Sequence, residues 1–93
     1  MKSVSGKFLC KIVERYGWNL KRITGSHHIY VKEGMSVILS IPVHGNRDLP
    51  TGTLRSILKD AGLTEEEYKN CYYNIETNLL VLLYLRVAIF PVR

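Results

Sequence analysis

Residues 25–43 read GSHHIYVKEGMSVILSIPV, and this stretch decides the fold. Its two runs HHIYVK and SVILSIPV are rich in β-branched and aromatic residues, which favour strands. The EGM sequence around Gly34 lies between them and is a hairpin-turn signal. The stretch therefore predicts two antiparallel strands, and Pro42 is expected at the end or on an edge of the second one.

The sequence before this hairpin predicts a helix and one more strand. In SGKFLCKIVERYGW the apolar residues recur at i, i+4 and i+8, which predicts an amphipathic helix. Ser5 fits the N-cap of this helix, and Gly17 fits the position just after its last turn. WNLKRIT then predicts a strand in which Trp18, Leu20 and Arg22 alternate with the residues between them. A Gly-Ser break separates this strand from the next one.

The sequence after the hairpin predicts two helices. HGNRDLPTG is a polar loop, GTLRSILKDAGL has a helical apolar stripe that Gly62 ends, and Thr64 and Glu67 in TEEEY fit a capping box. The order is helix, three antiparallel strands, helix, helix. We therefore predict an α+β fold with the helices on one face of a small sheet, whose other face is left to solvent or to a ligand.

Length and composition limit the class of protein. With 93 residues, of which 46% are hydrophobic and 23% charged, the chain is expected to be one globular domain. The 13 Lys and Arg residues against 8 acidic ones give a net charge of +5, which favours polyanionic partners. Cys10 and Cys71 have neither disulfide-framework nor zinc-site spacing, and no secretory signal is recognisable at the N-terminus. We expect a cytoplasmic protein.

The C-terminal end departs from this pattern, because residues 79–90 are almost all apolar. The run is shorter than the ~20 residues that a transmembrane helix needs, and Arg86 interrupts it, so no membrane association is predicted. We divide the chain into a domain at residues 1–70 and an extension at residues 71–93. The extension is expected to pack on the domain as a helix or a strand, with a dimer or partner surface as the alternative.

Two adjacent histidines, His27 and His28, are the first candidates for chemistry. Successive side chains of a strand leave on opposite faces, so the pair cannot easily share one metal ion, and His44 has no Cys, Asp or Glu at ligand spacing. The sequence contains no nucleophile elbow and no glycine-rich phosphate loop. We expect no metal and no cofactor.

Acid–base chemistry on RNA is the remaining class. RNA carries its own nucleophile, the ribose 2′-hydroxyl, so a metal-free enzyme needs one well-placed histidine and cations that neutralise the phosphate. Lys21, Arg22 and Lys32 lie close to His28 in the sequence, and Tyr30 shares its predicted strand face. A lone strand histidine is more commonly a hydrogen-bonded surface residue, so the pattern alone does not choose.

The residues GSHHIYVKEGMSVILSIPVHGNRDLPTGTLRSILKDAGLTEEEY, with the lead-in SGKFLCKIVERYGWNLKRIT, resemble the HicA toxin family. The resemblance covers residues 5–68, and its parts stand in the family's order: helix, Trp-containing strand, GSHH, IPVHG, GTLRSILKDAGL. It implies a double-stranded-RNA-binding-domain-like α-β-β-β-α fold and a ribonuclease toxin of a toxin–antitoxin system. Such a toxin cleaves mRNA and is blocked by a HicB-like antitoxin.

The resemblance also implies roles for single residues. The family's catalytic histidine is fourth in a Gly-Ser-x-His motif, which falls on His28, whereas His27 occupies the variable third position and is expected to be a supporting neighbour or an RNA contact. His44 matches a P-x-H feature of the family. It is expected to be a second acid–base group or a phosphate contact, with a locally bonded loop histidine as the alternative. Arg47 and Arg55 are expected to face phosphate, antitoxin or solvent. The expected RNA-binding residues are Lys21, Arg22, Ser26, Tyr30, Lys32 and His44.

Two other functions remain open. One is a non-catalytic RNA-binding module that recognises duplex shape through phosphates and 2′-hydroxyls. The other is a protein-interaction subunit that works through its apolar tail, because the family usually stops soon after the LTEEEY helix and this chain does not. In that case the extension is expected to form a homodimer or an antitoxin contact.

Overall fold

A three-stranded sheet lies at the centre of the fold. A computed structural model describes residues 1–71. The elements stand in the predicted order: α1 (Gly6–Arg15), β1 (Asn19–Thr24), β2 (His27–Val31), β3 (Leu39–Pro42) and α2 (Thr51–Ala61). Residues 65–71 are helical as well. The strands are antiparallel in the order β1-β2-β3, which confirms the predicted α+β, double-stranded-RNA-binding-domain-like architecture.

The predictions about the C-terminal extension lie outside the described residues. They concern the apolar run at residues 79–90 and its packing or interface role, so the division at residue 70 stays a prediction. Within residues 1–71, no helix has the length and apolar character needed to cross a membrane.

Helix α1 begins and ends where the sequence predicts. The Ser5 side chain accepts a hydrogen bond from the Phe8 backbone N–H at 3.1 Å, which satisfies one of the donors that a first helical turn leaves unpaired. Gly17 follows the last turn with a φ of 92°. The buried side of α1 is apolar, as the predicted stripe requires, and comprises Gly6, Leu9, Cys10, Ile12 and Val13.

A two-residue turn, Gly25 and Ser26, joins β1 to β2. Gly25 has a φ of 60°, and within residues 1–71 no residue other than glycine has a positive φ. The turn therefore matches type II′, which requires glycine at its first central position and suits the twist of a hairpin. It places Thr24 opposite His27 and so sets the register of β2 against β1.

A β-bulge in β1 overturns one detail of the predicted alternation. Leu20 pairs with Tyr30 but Arg22 pairs with Ile29, so the register shifts between Leu20 and Arg22. A bulge places one extra residue in a strand, here Lys21, and reverses the faces of the residues that follow. The prediction that Arg22 shares a face with Leu20 is therefore wrong, and Arg22 lies on the opposite face.

Strand β3 is shorter than the run SVILSIPV predicts. The predicted turn around Gly34 is present, but the ladder with β2 begins only at Leu39, and Pro42 ends it as expected. Residues 35–38 have no partner in the ladder, and a strand requires one for its backbone N–H and C=O groups. Hydrophobic residues such as Ile38 are exposed there as a result.

Both helices pack on the same face of the sheet, as predicted, and each contacts β3. Tyr30, Leu39 and Ile41 on this face are at most 1% exposed. We call it the helix-side face; its strand residues, from the ladder register, are Leu20, Ile23, His28, Tyr30, Leu39 and Ile41. The opposite, outer face carries Arg22, Thr24, His27, Ile29, Ser40 and Pro42.

The helix at residues 65–71 is capped and tied to the N-terminus. Thr64 and Glu67 form the predicted capping box: the Thr64 N–H donates to the Glu67 carboxylate at 2.9 Å, and the Glu67 N–H donates to the Thr64 hydroxyl at 3.0 Å. The Tyr68 hydroxyl donates to the Lys2 carbonyl at 2.7 Å. The bond from Tyr68 holds the helix against the start of the chain.

We predict that Gly6→Ala destabilises the fold. A Cβ at Gly6 would collide with the carbonyl oxygen of Pro42, which is a backbone atom and cannot rotate away. Overpacking of this kind costs about 1–3 kcal/mol. The matched control is Gly52→Ala, since Gly52 also lies in a first helical turn but has open space at its Cβ position.

The control should lose no stability and gain at most about 1 kcal/mol from helix propensity, since Gly52 lies near the helix end. Urea unfolding measures the stability of both variants. Equal stability of Gly6→Ala and Gly52→Ala would contradict the close approach of α1 to the end of β3.

Candidate active site

His28 lies on the middle strand and on the helix-side face. It pairs with Ile23 of β1 and with Ile41 of β3, so its backbone is held from both sides. Its side chain is partly exposed. The sheet therefore fixes the backbone of His28 while solvent can still reach its imidazole.

His27 lies on the outer face. It pairs with Thr24 and Pro42 and is exposed. Strand alternation thus separates the two histidines, as the sequence predicts. Among residues 1–71, no group of three or more His, Cys, Asp and Glu side chains is arranged to hold a metal ion.

His28 does not lie on the face that the sequence predicts to be open to a ligand. The sequence predicts that a ligand lies on the face that the helices leave open, but β2 directs His28 to the same side as Tyr30 and Ile41, which are buried under the helices. A ligand that reaches His28 has to approach the helix-side face.

This helix-side face is open along β1. Leu20 is 46% and Ile23 54% exposed, whereas Tyr30 and Leu39 on the same face are each 1% exposed. The two helices contact β3, at the other edge of the sheet. His28 stands between the covered and the uncovered part, so the β1 side gives access to it.

Tyr30 is part of the core and not of an accessible surface, which corrects its predicted role as an RNA contact. Its hydroxyl donates to the Glu14 carboxylate at 2.5 Å. Burial, followed by this hydrogen bond, raises the pKa of Tyr30 far above its usual value. The phenol therefore stays protonated and joins α1 to β2, two residues from His28.

The sequence does not single out Glu14 as part of this site. It lies 16 residues from Tyr30 in the chain, and an exposed glutamate on a helix carries no local signal of such a partner. The nearby thiol of Cys10 is buried, and burial raises its pKa. Cys10 is thus a buried free thiol of the core.

Ser26 and His44 lie at the same end of the sheet as His28. The Val43 N–H donates to the Ser26 carbonyl at 2.7 Å, so the turn before β2 is bonded to the residue that precedes His44. Ser26 is partly exposed and His44 is exposed. The arrangement brings a second imidazole to this end of the sheet, and its role in binding or catalysis stays a prediction.

The predicted cations are spread out and do not surround His28. Arg22 lies on the outer face and Lys21 at the bulge, and both are exposed. The side chain of Lys32 extends beside Gly17. The Cε of Lys32 lies 3.3 Å from the position that a Cβ on Gly17 would occupy. This places Lys32 at the far end of β2 from the turn. Two further exposed residues lie on α2 and in the loop before it: Arg55 and Arg47.

We predict that Tyr30→Phe lowers the free energy of unfolding by about 1–2 kcal/mol, because it removes a buried hydrogen bond to a charged group. Tyr16→Phe is the matched control. The Tyr16 hydroxyl donates to the uncharged carbonyl of Glu67 at 3.3 Å, a longer and weaker bond. Chemical denaturation should show the larger loss for Tyr30→Phe, and an equal or smaller loss would contradict the anchoring role of Tyr30.

Comparison with known proteins adds one finding to this geometry. The model of a protein family described as HicA toxin of bacterial toxin–antitoxin matches residues 6–63. The match contains α1, all three strands and α2, together with the three histidines of the chain. No curated protein matches the sequence.

Proposed function

Because the chain belongs to the HicA toxin family of bacterial toxin–antitoxin systems, we propose that it is an endoribonuclease that cleaves mRNA with His28 as its catalytic histidine. The observation that supports this most strongly is the placement of His28, a partly exposed imidazole beside the open β1 edge. Pairing on both sides fixes its backbone, and a catalytic group depends on such a fixed position.

The proposed reaction needs few protein groups. His28 takes the proton of a ribose 2′-hydroxyl, and the 2′-oxygen attacks the adjacent phosphorus. The bond between phosphorus and the 5′-oxygen breaks, and the leaving oxygen takes up a proton from the His28 imidazolium or from water. The products are a 2′,3′-cyclic phosphate and a 5′-hydroxyl. No metal is required to create the nucleophile, because the RNA itself supplies it.

RNA contacts and partners complete the proposal. Of the predicted RNA-binding residues, Tyr30 is withdrawn because it is buried. The family implies an antitoxin as partner, and we propose a HicB-like protein that blocks the site, with both proteins in the cytoplasm. A homodimer through residues 71–93 is part of the same proposal. The RNA contacts that we retain are Lys21, Ser26, Lys32 and His44, and Arg22 is withdrawn as well because it lies on the outer face.

A non-catalytic RNA-binding module is the alternative. The net charge of +5 would serve this function equally well. It gives no reason, however, for an imidazole that is held on the middle strand and reached from the open edge of the sheet.

His28→Ala is predicted to abolish RNA cleavage. Loss of a general acid–base group typically lowers a rate by about 10²–10⁴-fold. The assay uses purified full-length chain and mRNA in the presence of EDTA, with mapping of the product ends, and growth inhibition on expression provides a second measurement. The matched control is His27→Ala, which removes the neighbouring imidazole from the outer face and should retain most of the activity.

Undiminished cleavage by His28→Ala would refute the assignment of the catalytic residue. Equal RNA affinity of the native chain and His28→Ala, with no cleavage by either, would favour the non-catalytic binding module.

A further inference from the structure

One stripe of α1 carries two lysines that the proposed mechanism does not use. Lys7, Lys11 and Glu14 stand at i, i+4 and i+7, a spacing that places side chains on one side of a helix. All three are exposed. Because the Glu14 carboxylate accepts the hydroxyl of Tyr30, this stripe borders the helix-side face along β2.

The direction of α1 brings Lys7 to the end of β2 where His28 lies. At the start of α1, Gly6 packs against the carbonyl of Pro42, and Pro42 is the ladder partner of His27. Beyond the other end of α1, Gly17 lies beside Lys32. The helix therefore runs along β2 in the same direction as the strand, and Lys7 lies in the helical turn nearest to His28.

The positions of these lysines are not explained by the stability of α1. Lys7 occupies the first turn, which contains no acidic residue, and a cation there opposes the helix dipole. Within residues 1–71 the ion pair is Lys69 with Glu65, and neither Lys7 nor Lys11 takes part in one. Two exposed cations on the side of α1 that borders β2 are therefore available to a ligand.

We propose that Lys7 and Lys11 form a phosphate-binding pair that holds a single RNA strand between α1 and the open edge of β1. The two residues are separated by four residues of helix, or about 6 Å along its axis, which is close to the spacing of neighbouring phosphates on one strand. The RNA then passes over His28. The two lysines lie on one side of the strand, and Leu20 and Ile23 lie on the other side, where their exposed apolar side chains can contact bases.

This inference rests on the proposed function, since it names how that site holds its substrate. It also assigns a second effect to the pair: positive charge close to the reacting phosphate stabilises the charge that develops in the transition state. Lys7 and Lys11 are binding residues in this account, and His28 remains the group that moves the proton.

The test measures binding and salt dependence without cleavage. The full-length chain carrying His28→Ala is titrated with a short single-stranded RNA at several salt concentrations, with and without Lys7→Gln and Lys11→Gln together. Each lost phosphate contact lowers the slope of log affinity against log salt by about 0.7 for single strands. The double substitution should therefore lower the slope by about 1.4 and weaken binding at low salt roughly tenfold.

Lys59→Gln is the matched control, because it removes one exposed lysine from the last turn of α2, and it should leave the slope almost unchanged. Replacement of both α1 lysines by arginine should restore the slope, since the charges return. Unfolding measurements should show that the glutamine variant is at least as stable as the parent chain, since Lys7 opposes the helix dipole.

An unchanged slope and affinity in the glutamine variant would overturn the inference, as would an effect of Lys59→Gln of equal size. These outcomes are distinguishable from failure of the proposed function. If the native chain binds RNA through the two lysines but never cleaves it, the phosphate-binding pair stands and the endoribonuclease assignment falls.

Discussion

The two-residue turn of Gly25 and Ser26 determines which side chains the middle strand presents to which face. It fixes Thr24 opposite His27, and from that pair onward each residue of β2 has its face assigned by alternation. A slip of one residue would exchange the faces and move His28 to the outer side. The Gly-Ser dipeptide that precedes the histidines is thus explained by hairpin geometry, with glycine required by the positive φ.

Helix α1 secures this arrangement from above the sheet. Its start packs closely against the backbone of β3 at Gly6 and Pro42, and Glu14 accepts the hydroxyl of Tyr30 in β2. The helix is thereby held over the β3 side of the sheet, and the helix-side face of β1 stays uncovered. The same contacts that stabilise the fold leave His28 accessible from one direction.

The sequence predicts the elements whose signals are local. The Ser5 cap, the capping box at residues 64–67 and the alternation of β2 all depend on neighbouring residues, and all are present in the structure. The bulge at Lys21 leaves no comparable trace, because an extra residue in a strand looks like any other exposed lysine. It nevertheless reverses the face of Arg22.

The site is less predictable than the fold, since it depends on contacts between distant residues. Alternation correctly places His28 and Tyr30 on one face, but it does not reveal that this face is the one under the helices. That information comes from the burial of Tyr30 and from its partner in α1. A tyrosine predicted to contact RNA is instead a core anchor, and the lysines of α1 become relevant only when the direction of that helix is known.

The central claim is that β2 presents His28, and not His27, to RNA. It is tested most directly by nuclear magnetic resonance of the three imidazoles during titration with a 2′-O-methylated RNA, which cannot be cleaved because the nucleophilic hydroxyl is blocked. The His28 resonances are expected to shift on binding, while those of His27, on the outer face, stay in place. Shifts of His27 with unchanged His28 resonances would contradict it.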